Sequence, residues 1–268
     1  MGWITRRLRG AHVPASMPAD WRELVVDVLP HWDVLDDAER ERLESLTLAV
    51  IAAFRWEAAA GIELDDEIRV VIAAHVALLG LHLPDEAVLS ARGVLVHPED
   101  LMLRGEYEFV DGIMNDADTW VSGLADDHGP IMISWDALVD DIEHVGDGRN
   151  LVFHEFAHHL DLLDGVADGT PPIDPALHDR WVDACTAAYE LAGAGDGGDS
   201  LDSYAGVNPT EFFAVSTEAF FDAPDALRDE HPALYEVFVD YYGIDWSARL
   251  DALASQPETS GPGDTIQS

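Results

Sequence analysis

A mainly helical α+β architecture is expected of this 268-residue chain from three features. Apolar residues recur at helical spacing through several long stretches. Only two short runs are rich in β-formers and bounded by Gly, Pro and Asp, and the apolar pattern nowhere splits into independent halves. One domain over residues 19–250 follows, with a helical front section over about 19–90 and a second part over about 91–250.

The elements read in order as follows. Residues 1–18 hold Arg6, Arg7, Arg9, Pro14 and Pro18 without periodic apolar content, which predicts a flexible lead-in. The twin arginines lack the apolar stretch of an export signal, so a cytoplasmic location is expected. After Asp36-Asp37 as a cap, Leu43, Leu46, Val50 and Phe54 mark the inner face of a helix. A second helix starts at Asp65 or Asp66, with Ile68, Val71, Ile72, His75, Val76 and Leu79 as its inner stripe. His75 in that stripe reads as a core histidine rather than a ligand. Residues 93–97 and 131–135 are the predicted strands. Residues 193–200, rich in glycine, predict a flexible loop or insertion. Residues 251–268, dominated from Gln256 by Pro, Gly, Ser and Thr, predict a disordered tail.

Composition narrows the partners. There are 53 acidic and 14 basic side chains, net −39, and every basic one is Arg. Such a surface repels phosphate backbones and anionic lipids, so neither nucleic acid nor membrane is an expected partner. The same acidity suits a salt-rich interior, while GC-rich codon bias alone accounts for Arg over Lys. Urea melts in low and in molar salt separate the two. Cys185 is the single cysteine, so no intrachain disulfide and no thiolate metal cluster can form.

The chemistry concentrates at His154-Glu155-Phe156-Ala157-His158. On a helix, positions i and i+4 lie one above the other, so the two imidazoles can hold one ion while Glu155 reaches a water beside it. Leu151, Val152, Phe153, Phe156, Ala157, Leu160, Leu162 and Leu163 supply the apolar helical context. Asp147 or Asn150 is a candidate cap and Gly165 a candidate stop. His159 points about 100° away from His158 and is expected at the surface or behind the site. This is the arrangement of a zinc hydrolase, with one Zn2+ per chain.

Catalytic zinc takes three protein ligands, so a third must be found. Asp164, six residues past His158, lacks the glycine that the short extended motifs place at the position of Asp161. Asn208 as cap and Pro209 at the first position start a helix carrying Glu211 and Glu218 on one face. A glutamate among phenylalanines is costly unless paired. Glu211 is the favoured ligand and Glu218 the alternative, each otherwise a capping residue or an acceptor for a ligand histidine. Asp161, seven residues after His154, is a candidate acceptor for an imidazole N–H.

At this point the chain resembles the Mlc titration factor A family of zinc peptidases. The matching stretches are residues 154–158 with Leu160-Asp161, then Asp202-Ser203-Tyr204-Ala205, and residues 211–221 followed by Pro224. Residues 129–135 and 72–75 extend the likeness over roughly 19–245. The resemblance implies a zincin, gluzincin-like catalytic domain, like that of anthrax lethal factor, and Glu211 as third ligand beside His154 and His158. It also implies that Tyr204 assists catalysis alongside Glu155, and aminopeptidase-like hydrolysis of small peptides. An alternative role is implied by the family's name: a regulatory binding protein that sequesters a transcriptional repressor, with peptidase activity secondary. The glycine-rich loop at 193–200, the absence of lysine and His75 in place of a frequent Gln depart from the family pattern.

Overall fold

The computed structural model describes residues 13–59, 61–99 and 129–255, with the backbone of short strands between 101 and 124. Most of the expected lead-in and all of the tail from residue 256 lie outside the described residues. Helix α1 (Ala19–Val28) is followed by α2 (Asp37–Ala53), strand β1 (Arg55–Ala58), α3 (Asp66–Leu79) and α4 (Asp85–Leu89). Strands β2 (Gly93–His97), β3 (Leu101–Leu103), β4 (Tyr107–Glu108), β5 (Met114–Asn115), β6 (Thr119–Val121), β7 (Gly123–Leu124) and β8 (Ile131–Ser134) come next. Helices then run to the end: α5 (Trp135–Glu143), α6 (Leu151–Asp161), α7 (His178–Ala194), α8 (Pro209–Asp222), α9 (Pro224–Glu230), α10 (Pro232–Tyr242) and α11 (Trp246–Ala254).

The main sheet has the order β1-β2-β8-β7, the first three strands parallel and β7 antiparallel at the edge. β3 pairs with β6 and β4 with β5 as separate antiparallel ribbons. The strand expected over 131–135 ends one residue early. Ser134 becomes the cap of α5, its hydroxyl accepting from the Ala137 N–H at 3.3 Å. β1 was not expected; its alternation spans only the four residues Arg55–Ala58, too short a signal, and pairing with β2 makes it a strand.

Helix α2 begins with a reciprocal capping box. The Asp36 carboxylate accepts the Glu39 N–H at 2.8 Å, and Glu39 accepts the Asp36 N–H at 2.9 Å. Glu39 also takes both arms of the Arg249 guanidinium, tying α2 to α11. Helix α3, capped by Asp65, differs from the one-sided stripe expected of it. Every residue from Ile68 to Leu79 is buried, because α1, α2 and α6 surround it. The expected tail is shorter at its start, since α11 continues to Ala254.

His75 sits in this core as a satisfied neutral histidine, its Nδ1–H donating to the Val71 carbonyl at 2.8 Å and its ring against Phe153. His31, also buried, donates instead through Nε2–H to the Phe221 carbonyl at 2.8 Å. Burial pushes both down to about 4 from an ordinary 6.5. The unfolded chain therefore binds these protons first as pH falls. Their stabilisation is complete above pH 6.5 and is lost progressively down to pH 4, by about 3 kcal/mol each. Denaturant melts between pH 7 and 4 should show a shallower loss for His75→Gln than for the parent. Parallel losses would contradict this account.

Helix α6 is central to the second half, packed on β8 and β7 on one side and against α8 and α3 on others. Residues Thr210 to Phe221 of α8 are all buried. Phe153, Phe156, Phe213, Phe220 and Phe221 are at most 2% exposed. At about 1.5–3 kcal/mol per buried phenylalanine, apolar packing holds these helices, and their buried polar groups are carried by that packing. Among the described residues no helix is long and apolar enough to cross a membrane.

Candidate metal centre

Helix α6 is started by Asn150, whose side-chain oxygen accepts the N–H groups of Val152 and Phe153, each at 3.1 Å. Asp147 does not cap it; its carboxylate accepts the Arg149 N–H instead. The helix passes into a short 3-10 turn over Leu162–Asp164 that Gly165 closes at φ 88°. One helical turn separates His154 from His158, and their Nε2 atoms lie 3.2 Å apart. Helix α8, begun by Asn208 and Pro209, brings Glu211 from the opposite side. The Asn208 side chain accepts the Glu211 N–H at 2.9 Å, and the Glu211 carboxylate faces the histidines.

Glu211 Oε2 lies 3.2 Å from His154 Nε2 and 3.4 Å from His158 Nε2. The three atoms form a nearly equilateral triangle. Ligands about 2.0–2.1 Å from a tetrahedral zinc ion stand about 3.3–3.4 Å from one another, so the triangle matches one face of such a shell. The same Oε2 is buried and receives no well-directed hydrogen bond despite its two close nitrogens. A lone pair held bare against two ring nitrogens fits a cation, and the nitrogen-and-oxygen donor set fits a borderline divalent metal. Among the described residues these three form the one His/Cys/Asp/Glu group whose ligand atoms converge in this way.

Glu218, two turns along α8 from Glu211, stands behind His154. Its Oε1 accepts the His154 Nδ1–H at 2.6 Å and its Oε2 accepts the Asn150 N–H at 2.8 Å. That bond fixes the ring tautomer and turns the bare Nε2 toward Glu211. Burial opposes charge on His154, but Glu218 and Glu211 together hold its pKa well above the ordinary value. Glu211 is driven far below the ordinary carboxylate range by the two histidines, against the cost of its burial.

Glu155 is 4% exposed, and its Oε2 is buried without a hydrogen-bond partner. Burial pushes its pKa up to about 7, with the neighbouring imidazoles opposing and Glu211 and Glu218 adding to the rise. Tyr204 sits on a 3-10 turn, Ser203–Gly206, whose cap Asp202 accepts the Tyr204 N–H at 2.7 Å. Its ring lies against that of His154 at 6.1 Å between centroids. Burial of the Tyr204 hydroxyl, and then the Glu211 charge, push the phenol's pKa up.

The other sequence candidates fall elsewhere. Asp164 is exposed and its carboxylate accepts the Val166 N–H at 3.0 Å within its own loop. His159 points away from the site, its Nε2 3.1 Å from the Ser90 hydroxyl and its ring edge on Phe156. Asp161 was a candidate acceptor for an imidazole N–H; its carboxylate instead accepts the Gly169 N–H at 2.9 Å. Gly169, at φ 79°, lies so close to α8 that a Cβ there would come within 2.2 Å of the Pro209 carbonyl. Asp161 thereby fastens a loop that joins the end of α6 to the start of α8.

Two supporting residues had no sequence signal. Asp141 of α5 accepts the Leu151 N–H at 2.7 Å, adding a carboxylate at the N-terminus of α6. Asp222, at the end of α8, accepts the N–H groups of Gly146 and Gly148 at 2.8 Å each and anchors the approach to α6. Neither lies near its partner in sequence, so no local pattern marks it.

Comparison with known proteins adds the following. The model of a family described as glucose-regulated metallo-peptidase M90 matches residues 3–243. An uncharacterized protein of Synechocystis sp. is 31% identical over 235 residues, 85% of each chain. The Mlc titration factor A of Serratia proteamaculans is 30% identical over 258 residues, covering 94% of this chain and 97% of that protein. The protein of the same name in Yersinia pestis is 31% identical over 253 residues, 91% of this chain and 92% of its own.

Proposed function

Because the chain belongs to the M90 family of glucose-regulated metallopeptidases, also known through Mlc titration factor A, we propose that it is a zinc-dependent, aminopeptidase-like enzyme acting on small peptides. His154, His158 and Glu211 hold the ion, Glu155 is the general base and Tyr204 the hydrogen-bond donor. The observation that carries this reading is the triangle of His154 Nε2, His158 Nε2 and Glu211 Oε2 with the bare carboxylate of Glu155 beside it.

When bound, zinc supplies Lewis acidity, polarising a carbonyl and making water a usable nucleophile near neutral pH. The protein residues do the rest. Glu155 accepts the water's proton and returns it to the leaving amine, so peptide hydrolysis proceeds by a single displacement. The Tyr204 hydroxyl donates to the oxygen on which charge develops, a contact whose loss typically costs about 10²–10³-fold in rate. Glu218 keeps the His154 ring turned so that Nδ1–H faces away from the reaction. β7, the antiparallel edge strand of the sheet among the described residues and packed against α6, is where an extended peptide would add by backbone pairing.

A digest of a peptide library by the zinc-loaded protein, with and without chelator, tests the proposal. Residues should be released from free N-termini, chelator should stop the release and zinc should restore it. Internal cleavage alone would reject the aminopeptidase component, and no cleavage by fully loaded protein would reject the peptidase reading. A second reading is favoured by full-length likeness to proteins named for titrating Mlc: sequestration of a transcriptional repressor, with peptidase activity secondary.

A further inference from the structure

We infer that Glu230, helped by His231, is a positioning residue that holds Tyr204 in the site by clasping the glycine-rich loop 197–200. The inference rests on the reading of Tyr204 as the hydrogen-bond donor of the reaction. Helix α9 ends at Glu230 and α10 begins at Pro232, so the corner between them presents both side chains. Glu230 Oε2 accepts the Ser200 N–H at 2.9 Å and the Ser200 hydroxyl at 2.7 Å, while Oε1 accepts the Asp199 N–H at 3.2 Å. His231, buried, donates its Nε2–H to the Gly197 carbonyl at 2.8 Å.

The loop's composition is shaped to this carboxylate. Gly198 has φ 76°, and a Cβ there would fall 2.3 Å from Glu230 Oε2, so a side chain would displace the clasp. The segment expected to be flexible is thus bonded at Asp199 and Ser200 and also at Gly197.

The clasp leads directly to Tyr204. Leu201 is 2% exposed, Asp202 caps the 3-10 turn, and Ala205 is fully buried. On the far side, Gly206 presses on α7, where a Cβ would meet the Gly193 Cα at 2.8 Å. Tyr204 itself is 44% exposed and has little core packing of its own. A half-exposed ring on a four-residue turn is aimed by the backbone at both ends of that turn. The turn rests on α7 and α8, and the chain enters it from the loop that Glu230 holds.

Glu230→Ala and Glu230→Gln, made in the full-length protein with Tyr204 or with Tyr204→Phe, test this. Amide exchange needs no substrate. Glu230→Ala should speed exchange about tenfold from residue 199 through 207, leaving α6 and α8 as protected as before. Faster exchange at Asp199 and Ser200 alone, with 203–207 unchanged, overturns the proposal. In turnover by the zinc-loaded protein, Glu230→Ala should lower kcat about tenfold with KM little changed. In the Tyr204→Phe background it should lower kcat by less than about twofold, since no hydroxyl remains to be aimed. Equal losses in both backgrounds overturn the proposal as well. Glu230→Gln keeps one accepting oxygen and should fall between parent and Ala. If the alanine variant fails to fold, Glu230→Gln and Ser200→Ala take its place in the same cycle. Failure of the underlying reading looks different: Tyr204→Phe alone would then turn over like the parent.

Discussion

Glu155→Gln is expected to keep its zinc and to lose peptide hydrolysis by roughly 10²–10⁴-fold, the usual contribution of a positioned acid–base group. Glutamine matches the size of glutamate, and the three convergent ligand atoms belong to other residues, so the triangle of nitrogens and oxygen survives the change. The exchange also removes a carboxylate whose charged form is disfavoured by burial, so the fold should not suffer. Metal content by elemental analysis, measured beside turnover, separates the two effects. Full activity in the metal-loaded variant would reject Glu155 as the base.

The second large effect distinguishes the two glutamates of α8. Glu211→Ala removes an atom 3.2 Å and 3.4 Å from the two ring nitrogens, so zinc occupancy should collapse. Glu218→Ala leaves the triangle in place but frees the His154 ring, and should cost about 10–100-fold in affinity or activity. It also strands the buried Asn150 N–H, lowering the stability of the metal-free protein by about 1–3 kcal/mol. Competition with a chromogenic chelator gives both affinities, and a denaturant melt gives the stability. If Glu218→Ala strips the metal while Glu211→Ala keeps it, the two residues have exchanged roles and the likeness to the family over this helix is out of register.

The elements legible in the sequence were those whose signals are local. Asp36 before a helical stripe, Asn208-Pro209 before Glu211, and two histidines at helical spacing each declare their geometry within a few residues, and each appears as read. The four-residue strand β1, the carboxylates of Asp141 and Asp222, and the Glu230 clasp were not legible, because each exists only through a partner outside its own element, from ten to more than seventy residues away. The role of Asp161 stayed open for the same reason: helix spacing put it on the histidines' face, but its bond to Gly169 forms only through the loop that returns to it.

By itself, then, the sequence determined which helix carries the two histidines and Glu155, that no thiolate can join them, and which face of α8 offers carboxylates. Helical periodicity and composition suffice for that, since both act within a turn or two. Only the tertiary structure shows that Glu211 faces both Nε2 atoms while Glu218 faces His154 Nδ1. Both glutamates share one face of α8, and the choice depends on how α8 is set along α6, which the packing of aromatic side chains fixes and no spacing within α8 records.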